Sequence, residues 1–219
     1  MDPQDLRAVG GDLEPLRVLS AYRAGLFPMG LGDDGAEPIG WWSPEERGVL
    51  FPERLVVSRS LRKARRRFEI RVDTAFEAVV SACADKSRPG AWITDDIVEA
   101  YTSLHRAGWA HSIEAWDQEG LAGGLYGIAV GGLFAGESMF HHRTDASKVA
   151  LMGLVELLQE DPDPRRIIDV QWNTSHLASL GIESISRAEY QNFLAEALRV
   201  RKPARIANIG DPYTDFYRT

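Results

Sequence analysis

Short apolar or alternating runs bounded by turn residues recur in the second half of the chain and predict β-strands. These runs are residues 111–116, 121–130, 133–138 and 167–172. Gly131 and Gly132 separate the second run from the third, and a glycine pair accepts the positive φ of a tight turn. We therefore predict an antiparallel hairpin at this position, within a β-meander.

Apolar residues at three- and four-residue spacing predict helices around these strands. The helical stretches are residues 12–23, 59–67, 75–85, 94–105, 146–160, 174–180 and 186–200. Asp12, Thr94 and Asp145 are the predicted N-caps, because their side chains can accept a hydrogen bond from the first turn. Two more short strands are predicted at 41–44 and 54–57. Together these elements predict an α+β (mixed α/β) fold.

The composition is that of an ordinary globular protein. Of the 219 residues, 44% are hydrophobic and 26% are charged, enough for one large domain or two small ones. The single cysteine, Cys83, cannot form an internal disulfide, and no Cys/His spacing indicates zinc. No run reaches the ~18 apolar residues of a membrane helix. We expect a cytoplasmic protein without membrane association, cofactor or metal.

The charge pattern differs from the overall charge. A net charge of −7 argues against a general nucleic-acid binder, which needs basic residues to neutralise phosphates. Six basic residues nevertheless lie between Ser58 and Phe68 with no acid among them: Arg59, Arg62, Lys63, Arg65, Arg66 and Arg67. On a helix, most of them share one side, with Leu61 and Ala64 nearer the core. This cluster is either a solvated helix face or a phosphate-contacting patch.

Polar residues inside apolar strand runs are the candidate functional residues. Glu137 and Ser138 end one such run, where burying a carboxylate is costly unless it has a partner or a ligand. Asp169 and Gln171 interrupt the run at 167–172, and residues two apart on a strand point to the same face. They form either a ligand-binding pair or a buried structural pair, and Glu137 either binds a ligand or forms an internal salt bridge.

The chain resembles the bacterial leucyl/phenylalanyl-tRNA–protein transferases over roughly residues 11 to 198. The resemblance rests on motifs in a shared order, among them Gly-Gly-Leu-Tyr-Gly, Phe-Ala-Gly-Glu-Ser-Met-Phe and Asp-Val-Gln. The matching residues are 21–29, 41–44, 92–94, 110–114, 123–127, 134–140, 146–151, 169–171 and 176–181. Each string alone is a weak signal, but their common order makes a chance match implausible. One departure is Met29, which follows Phe27-Pro28 where relatives often have an aromatic residue.

The resemblance implies a fold and an activity. The implied fold is a small N-terminal domain, residues 1–45, beside a larger domain, residues 46–219, related to the acyl-CoA N-acetyltransferase fold. The implied activity is transfer of Leu or Phe from Leu-tRNA or Phe-tRNA to the α-amino group of proteins that begin with Lys or Arg. Such a protein would act in N-degron degradation, as a monomer and without a cofactor.

The resemblance also assigns site residues. Asp169 and Gln171 would be catalytic, polarising the attacking amine and binding the developing oxyanion. Glu137, with Ser138, would bind the α-ammonium group of the donor. The apolar lining would come from Leu125, Phe134 and Met139, and stacking on the terminal adenine from Trp92 and Tyr101. The basic cluster, Arg59, Arg62, Lys63, Arg65, Arg66 and Arg67, would contact the tRNA backbone. Each aromatic residue is alternatively a core residue.

Two other functions remain open. An acyl-CoA-dependent N-acetyltransferase would have a similar sheet, but the segment Arg143–Lys148, which opens the helix where a pyrophosphate loop is expected, contains no glycine. A non-catalytic tRNA- or protein-binding module would need the basic cluster, but it would not need Glu137, Asp169 and Gln171 in apolar strands.

Overall fold

The computed structural model describes residues 2–88, 90–203 and 205–206. Near the N-terminus a three-stranded antiparallel sheet, in the order β1-β3-β2, packs with helix α1. These elements are β1 (Leu6–Val9), α1 (Pro15–Arg23), β2 (Phe27–Gly30) and β3 (Ile39–Trp42). The residues of this small sheet and of α1 share a hydrophobic core with one face of the larger unit.

Within the described residues the larger sheet has seven strands in the order β10-β4-β9-β8-β7-β6-β5. Its strands are β4 (Glu46–Leu50), β5 (Glu69–Val72), β6 (Ala110–Asp117), β7 (Gly120–Val130), β8 (Leu133–His141), β9 (Ile167–Gln171) and β10 (Glu183–Ser186). Neighbouring strands in these ranges are antiparallel except β8 and β9, which are parallel. The chain is thus an α+β protein with one parallel pair inside an antiparallel sheet.

Helices cover both faces of the large sheet. They are α2 (Arg59–Arg65), α3 (Phe76–Cys83), α4 (Asp95–Arg106), α5 (Ala146–Glu160), α6 (Ser175–Ala178) and α7 (Arg187–Ala197). One core contains α2 and α5, and the other contains α1, α3, α4 and α7 with the small sheet. Helix α5 makes the crossover between the parallel strands, as such a connection requires. Within the described residues, no helix has the length and apolar character needed to span a membrane.

The structure confirms the predicted hairpin and several helices. Strands β7 and β8 pair antiparallel around Gly131-Gly132. Thr94 caps α4 by accepting from Ile97 N at 3.4 Å, and Leu61 and Ala64 of α2 are buried. The family relation to N-acetyltransferases and the boundary between residues 45 and 46 stay predictions. The range 46–219 extends beyond the described residues.

Other local predictions were wrong. Residues 54–57 form no strand, and the strand of this region is β4, earlier in the chain. Asp12 does not cap α1, because its carboxylate pairs with Arg17 and α1 begins at Pro15. Asp145 occupies the N-cap position of α5, but its side chain accepts no hydrogen bond from the first turn and contacts Lys148 Nζ at 3.1 Å instead. Strands β1, β2, β5 and β10 were missed, being only four residues long each.

A β-bulge in β8 is the irregularity that matters most for the site. Tyr126 pairs with Ser138 and Gly127 with Gly136, so Glu137 is an extra residue opposite no partner on β7. A bulge changes which face the following side chains occupy. Phe134 and Met139 are five residues apart and would lie on opposite faces of a regular strand. The extra residue returns them to one face.

Gly127 allows β7 to approach β8 closely at this bulge. A Cβ atom on Gly127 would lie 2.2 Å from the carbonyl oxygen of Ala135 and 2.7 Å from the Phe134 ring. We expect Gly127→Ala to lower the free energy of unfolding by about 1–3 kcal/mol, because backbone cannot yield as a flexible side chain does. Urea unfolding measures this change. The matched control is Gly136→Ala, whose Cβ would lie 3.7 Å from the Asp169 carbonyl oxygen, an ordinary van der Waals distance. Equal losses in both variants would contradict this account.

Candidate active site

An apolar cavity of about 280 Å³ opens where the parallel strands β8 and β9 stop pairing. The last pair is Ala135 with Asp169, and the residues that follow on both strands line the cavity. Its apolar walls are Leu125, Phe134, Met139, Leu151, Leu154, Ile168, Val170 and Leu177. The predicted trio Leu125, Phe134 and Met139 therefore comes together. The sequence analysis missed the contributions of α5, β9 and the segment around α6.

Three polar side chains share this cavity with its apolar walls: Glu137, Ser138 and Gln171. His176, on the short helix α6, is exposed and also borders it. A small cavity with a few convergent polar groups is the usual form of a small-molecule site. Of the predicted polar residues, Asp169 does not line it.

Gln171 has an unusual backbone and an unsatisfied side chain. Its φ is 59°, in the left-handed region that non-glycine residues seldom adopt. Its N–H donates to Asp169 Oδ1 at 2.9 Å, which holds this conformation. The side chain is only 7% exposed, yet among the described residues Nε2 has no hydrogen-bond partner. A buried amide without a partner is costly, so this donor is available to a ligand.

Asp169 is the centre of a fully buried ion pair. Arg47, on β4, donates from Nε to Oδ1 at 2.8 Å and from Nη2 to Oδ2 at 2.6 Å. Tyr190, on α7, donates to Oδ2 at 2.9 Å. With the Gln171 N–H, each carboxylate oxygen accepts two hydrogen bonds. The Asp169 side chain thus contacts Gln171 through the Gln171 backbone N–H. The Gln171 side chain lines the cavity, whereas that of Asp169 lies in the buried ion pair.

Burial disfavours the charged form of Arg47, but the adjacent Asp169 carboxylate raises the pKa of the guanidinium above its usual value. The side chain is 1% exposed and its guanidinium also lies over the rings of Phe27 and Tyr190. Nη1 donates to the Gly25 carbonyl at 3.1 Å. Arg47 therefore stays charged and links β9 to the N-terminal part of the chain.

Glu137 is partly buried and receives two tyrosine hydroxyls. Tyr22 donates to Oε1 at 2.6 Å and Tyr101 lies 3.0 Å from Oε2. Burial raises the pKa of Glu137 to about 7, although both tyrosine hydrogen bonds act in the opposite direction. Nearby Asp169 adds to the rise and Arg47 reduces it. The carboxyl group therefore changes its charge near neutral pH.

A second cavity, of about 340 Å³, contains Trp92. Met29, Leu31 and Trp42 also line it, so Met29 stands in the wall of an aromatic cavity. The predicted stacking role of Tyr101 does not fit the structure. Its ring is fully buried and packs edge-on against Tyr126, while its hydroxyl contacts Glu137.

The basic cluster lies on and after α2, on the surface. Arg59, Arg62, Lys63, Arg66 and Arg67 are exposed. Arg65 differs, because it is partly buried and pairs with Glu156 on α5 at 2.8 Å. Its charge is therefore already matched by an acid of the same chain. The described residues contain no group of three His, Cys, Asp or Glu side chains suited to a metal ion.

Tyr22, Arg47 and Tyr190 are the site residues that sequence reasoning missed. Tyr22 lies within a motif that carried the resemblance, and Arg47 lies just after another, but nothing in their spacing indicates that they are buried beside carboxylates. Taken together, the site combines an apolar cavity, a carboxyl group that titrates near neutrality and an unsatisfied amide donor. Such a site suits a ligand that carries an apolar side chain, a cationic group and a carbonyl group.

Comparison with known proteins identifies the family. The family model for leucyl/phenylalanyl-tRNA protein transferase matches residues 49–195, and the model for the N-terminal domain of the same proteins matches residues 11–45. The chain therefore belongs to the leucyl/phenylalanyl-tRNA–protein transferase family and is an enzyme of this transferase class.

Individual relatives of the chain carry the name leucyl/phenylalanyl-tRNA–protein transferase. The protein of Anaeromyxobacter sp. (strain Fw109-5) is 52% identical over 90% of this chain and 84% of its own length. That of Oleidesulfovibrio alaskensis is 48% identical over 99% of this chain and 92% of its own length. That of Pseudoalteromonas atlantica is 50% identical over 90% and 84%. The likeness thus extends over nearly the whole chain.

The buried ion pair gives a stability prediction. We expect Arg47→Met to lower the free energy of unfolding by about 3–5 kcal/mol at pH 7, because it leaves the Asp169 charge buried and uncompensated. Adding Asp169→Asn should restore part of this loss. Urea unfolding measures both. The exposed pair of Arg17 with Asp12 provides the control, and Arg17→Met should leave the unfolding midpoint nearly unchanged. A similar small loss for Arg47→Met would refute the prediction.

Proposed function

We propose that this enzyme transfers Leu or Phe from aminoacyl-tRNA to the N-terminal α-amino group of proteins beginning with Lys or Arg, marking them for N-degron degradation. It would act as a cytoplasmic monomer. The observation that carries the proposal is the cavity in which an apolar wall meets Glu137 and the unsatisfied amide of Gln171. These features match the three parts of an aminoacyl group: side chain, α-ammonium and carbonyl.

The apolar walls account for the donor amino acid. A cavity of about 280 Å³ is near the lower end of the range of roughly 300–1,000 Å³ typical of ligand pockets, which suits one side chain rather than a whole cofactor. Leu and Phe satisfy an apolar wall fully, whereas a polar side chain would lose its hydrogen bonds to water there. Leu125, Phe134 and Met139 would set this selectivity together with Leu151 and Leu154.

The polar groups account for the reacting end of the donor. The ionised Glu137 carboxylate would bind the α-ammonium with a charge-assisted hydrogen bond, with Ser138 beside it. Gln171 Nε2 would donate to the ester carbonyl oxygen and bind it more strongly as negative charge develops. An aminoacyl ester is already a reactive acyl donor, so positioning is the main requirement.

Asp169 would act mainly by positioning. Its two oxygens already accept four hydrogen bonds, and its acceptance of the Gln171 N–H holds the left-handed backbone that directs Gln171. The bond-making step needs a neutral acceptor amine, whose pKa is near ~8. Its nitrogen attacks the ester carbon, and the ester oxygen leaves as a ribose hydroxyl after taking up the proton that the amine loses.

The remaining parts of the donor and the acceptor have candidate surfaces. Trp92 would stack on the terminal adenine in the second cavity, where Met29 and Trp42 complete the wall. The chain's net charge of −7 favours encounters with acceptors that carry a basic first residue. Family membership supports the same choice of donor and acceptor.

A transfer assay tests the proposal. With labelled Leu-tRNA or Phe-tRNA and a peptide that begins with Lys, we expect one labelled residue at the peptide N-terminus. A peptide beginning with Ser, or acetyl-CoA in place of the charged tRNA, should give no product. Gln171→Leu should lower the rate about 10²–10³-fold, because it removes the donor to the oxyanion while keeping a similar volume. Acetylation of the peptide, or an unchanged rate for the folded variant, would contradict the proposal.

The exposed residues of the basic cluster are proposed to contact the tRNA backbone. We expect Arg62→Ala with Arg66→Ala to raise the KM for charged tRNA but to leave the rate with an aminoacyl-adenosine donor unchanged. Each lost phosphate contact should reduce the slope of log affinity against log salt by roughly 1. Salt titrations of tRNA binding measure this slope.

A charge-matched control separates contact from overall charge. Arg106→Ala with Arg199→Ala lowers the net charge by the same two units at exposed positions away from α2. This control should keep the wild-type slope. If both double variants show the same slope, or if the α2 variant also loses activity on the small donor, the cluster is a solvated face.

A further inference from the structure

Two buried tyrosines beside the cavity have no part in the proposed transfer chemistry. Tyr22, on α1, is 1% exposed, and Tyr101, on α4, is fully buried. Their hydroxyl oxygens lie 2.5 Å apart, and each lies against a different carboxyl oxygen of Glu137, at 2.6 and 3.0 Å. The three groups therefore form a closed ring of three contacts. Of these three side chains, only Glu137 lines the cavity.

Counting hydrogens in this ring shows that its charge state matters. If Glu137 is ionised, the two hydroxyl hydrogens of Tyr22 and Tyr101 must serve three oxygen–oxygen contacts, and one contact has no hydrogen. If Glu137 is protonated, each contact has one hydrogen and the ring is complete. The four oxygens of the ring can thus hold two hydrogens or three, and burial of the carboxyl group favours the form with three.

We propose that burial makes Glu137 hold a proton in the empty site, and that Tyr22 and Tyr101 are positioning residues whose hydroxyls stabilise the carboxylate that forms when the donor's α-ammonium group binds. This inference rests on the proposed role of Glu137 as the ammonium partner. In the step, the Glu137 O–H bond breaks and the proton passes to water or buffer. The carboxylate then receives both tyrosine hydroxyls and the ammonium, so the negative charge is matched by three donors.

The surroundings of Glu137 are consistent with this exchange. Asp169 on β9 raises the pKa of the Glu137 carboxyl, while Arg47 on β4 lowers it. Tyr126 on β7 is the third tyrosine near Glu137, but its hydroxyl has no hydrogen-bond partner among the described residues. Burial contributes most to the raised pKa of Glu137, and the hydrogen bonds from Tyr22 and Tyr101 oppose it.

The exchange would also select the donor. A charged α-ammonium replaces the lost proton with an equal positive charge, so the buried site keeps its charge balance. An acylated or absent amino group offers no such replacement, and Glu137 then keeps its proton and makes no charge-assisted bond. The site would thus distinguish a free aminoacyl group from an N-blocked one before any chemistry occurs.

Calorimetry with a stable donor analogue tests the inference. The probe is 3′-amino-3′-deoxyadenosine carrying Leu through an amide, and the matched probe carries 4-methylpentanoic acid, which lacks the amino group. Titrations at pH 7 in two buffers of different ionisation enthalpy give the number of protons released on binding. With the pKa of Glu137 at about 7, the wild type should release about half a proton with the leucyl probe and none with the matched probe.

Proton release by the tyrosine variants distinguishes this role from a purely structural one. Tyr22→Phe and Tyr101→Phe each remove a hydrogen bond that favours the ionised carboxylate, so each should raise the pKa of Glu137 further. More of the variant enzyme is then protonated at pH 7, and the release should rise towards one proton. For a rise of about one unit, affinity at pH 7 should fall about fivefold. Glu137→Gln should release no proton and bind both probes alike.

Tyr126→Phe is the matched control, because it removes a buried hydroxyl near Glu137 that makes no hydrogen bond there. It should release the same fraction of a proton as the wild type. Wild-type release of no proton, or the same release in wild type and in both folded tyrosine variants, would overturn the inference. Thermal unfolding shows whether each variant is folded. If neither tyrosine variant folds, the inference is tested by comparing proton release between the wild type and Glu137→Gln. Failure of the proposed function differs, since the leucyl probe would then bind no better than adenosine at any pH.

Discussion

The buried ion pair between Arg47 and Asp169 is the interaction on which the site depends. Two charges with 1% and 0% exposure are costly to bury, and the bidentate geometry with added bonds from Tyr190 and the Gln171 N–H offsets that cost. The pair joins β4 to β9, orients the backbone of Gln171, and contributes to the field at Glu137. A residue that the sequence predicts to be catalytic thus also holds the geometry of its neighbours.

Irregular backbone in the adjacent strands β8 and β9 forms the apolar cavity. The bulge at Glu137 in β8 and the register shift between β4 and β9, which leaves Val170 unpaired, occur just where the parallel pair stops. Regular pleating would have alternated polar and apolar side chains across the two faces. The irregularities instead bring apolar walls and three polar side chains to one cavity, and β-bulges commonly redirect side chains in this way.

Much of the fold could be predicted from the sequence, and part of the site. The hairpin at Gly131-Gly132 and the Thr94 cap depend on neighbouring residues, so local pattern sufficed. Glu137 and Gln171 were found as polar residues in apolar runs. Arg47 could not be assigned to Asp169, because the two lie 122 positions apart and no local signal relates them. The burial of Tyr101 against Glu137 could not be predicted, because the sequence does not show which atoms an aromatic residue will contact.

Residues that precede β4 contact buried side chains of the larger unit, which matters for any fragment of this enzyme. Tyr22 on α1 reaches Glu137, and the Gly25 carbonyl accepts from Arg47, so the residues before β4 complete the interior of the larger unit. A truncated chain that begins at β4 would retain every strand that lines the apolar cavity. It would nevertheless lose Tyr22 beside Glu137, and both Gly25 and Phe27 beside Arg47. No ladder of backbone hydrogen bonds joins the two sheets in the described residues, but groups from the N-terminal region help to set the charge environment of Glu137 and Arg47.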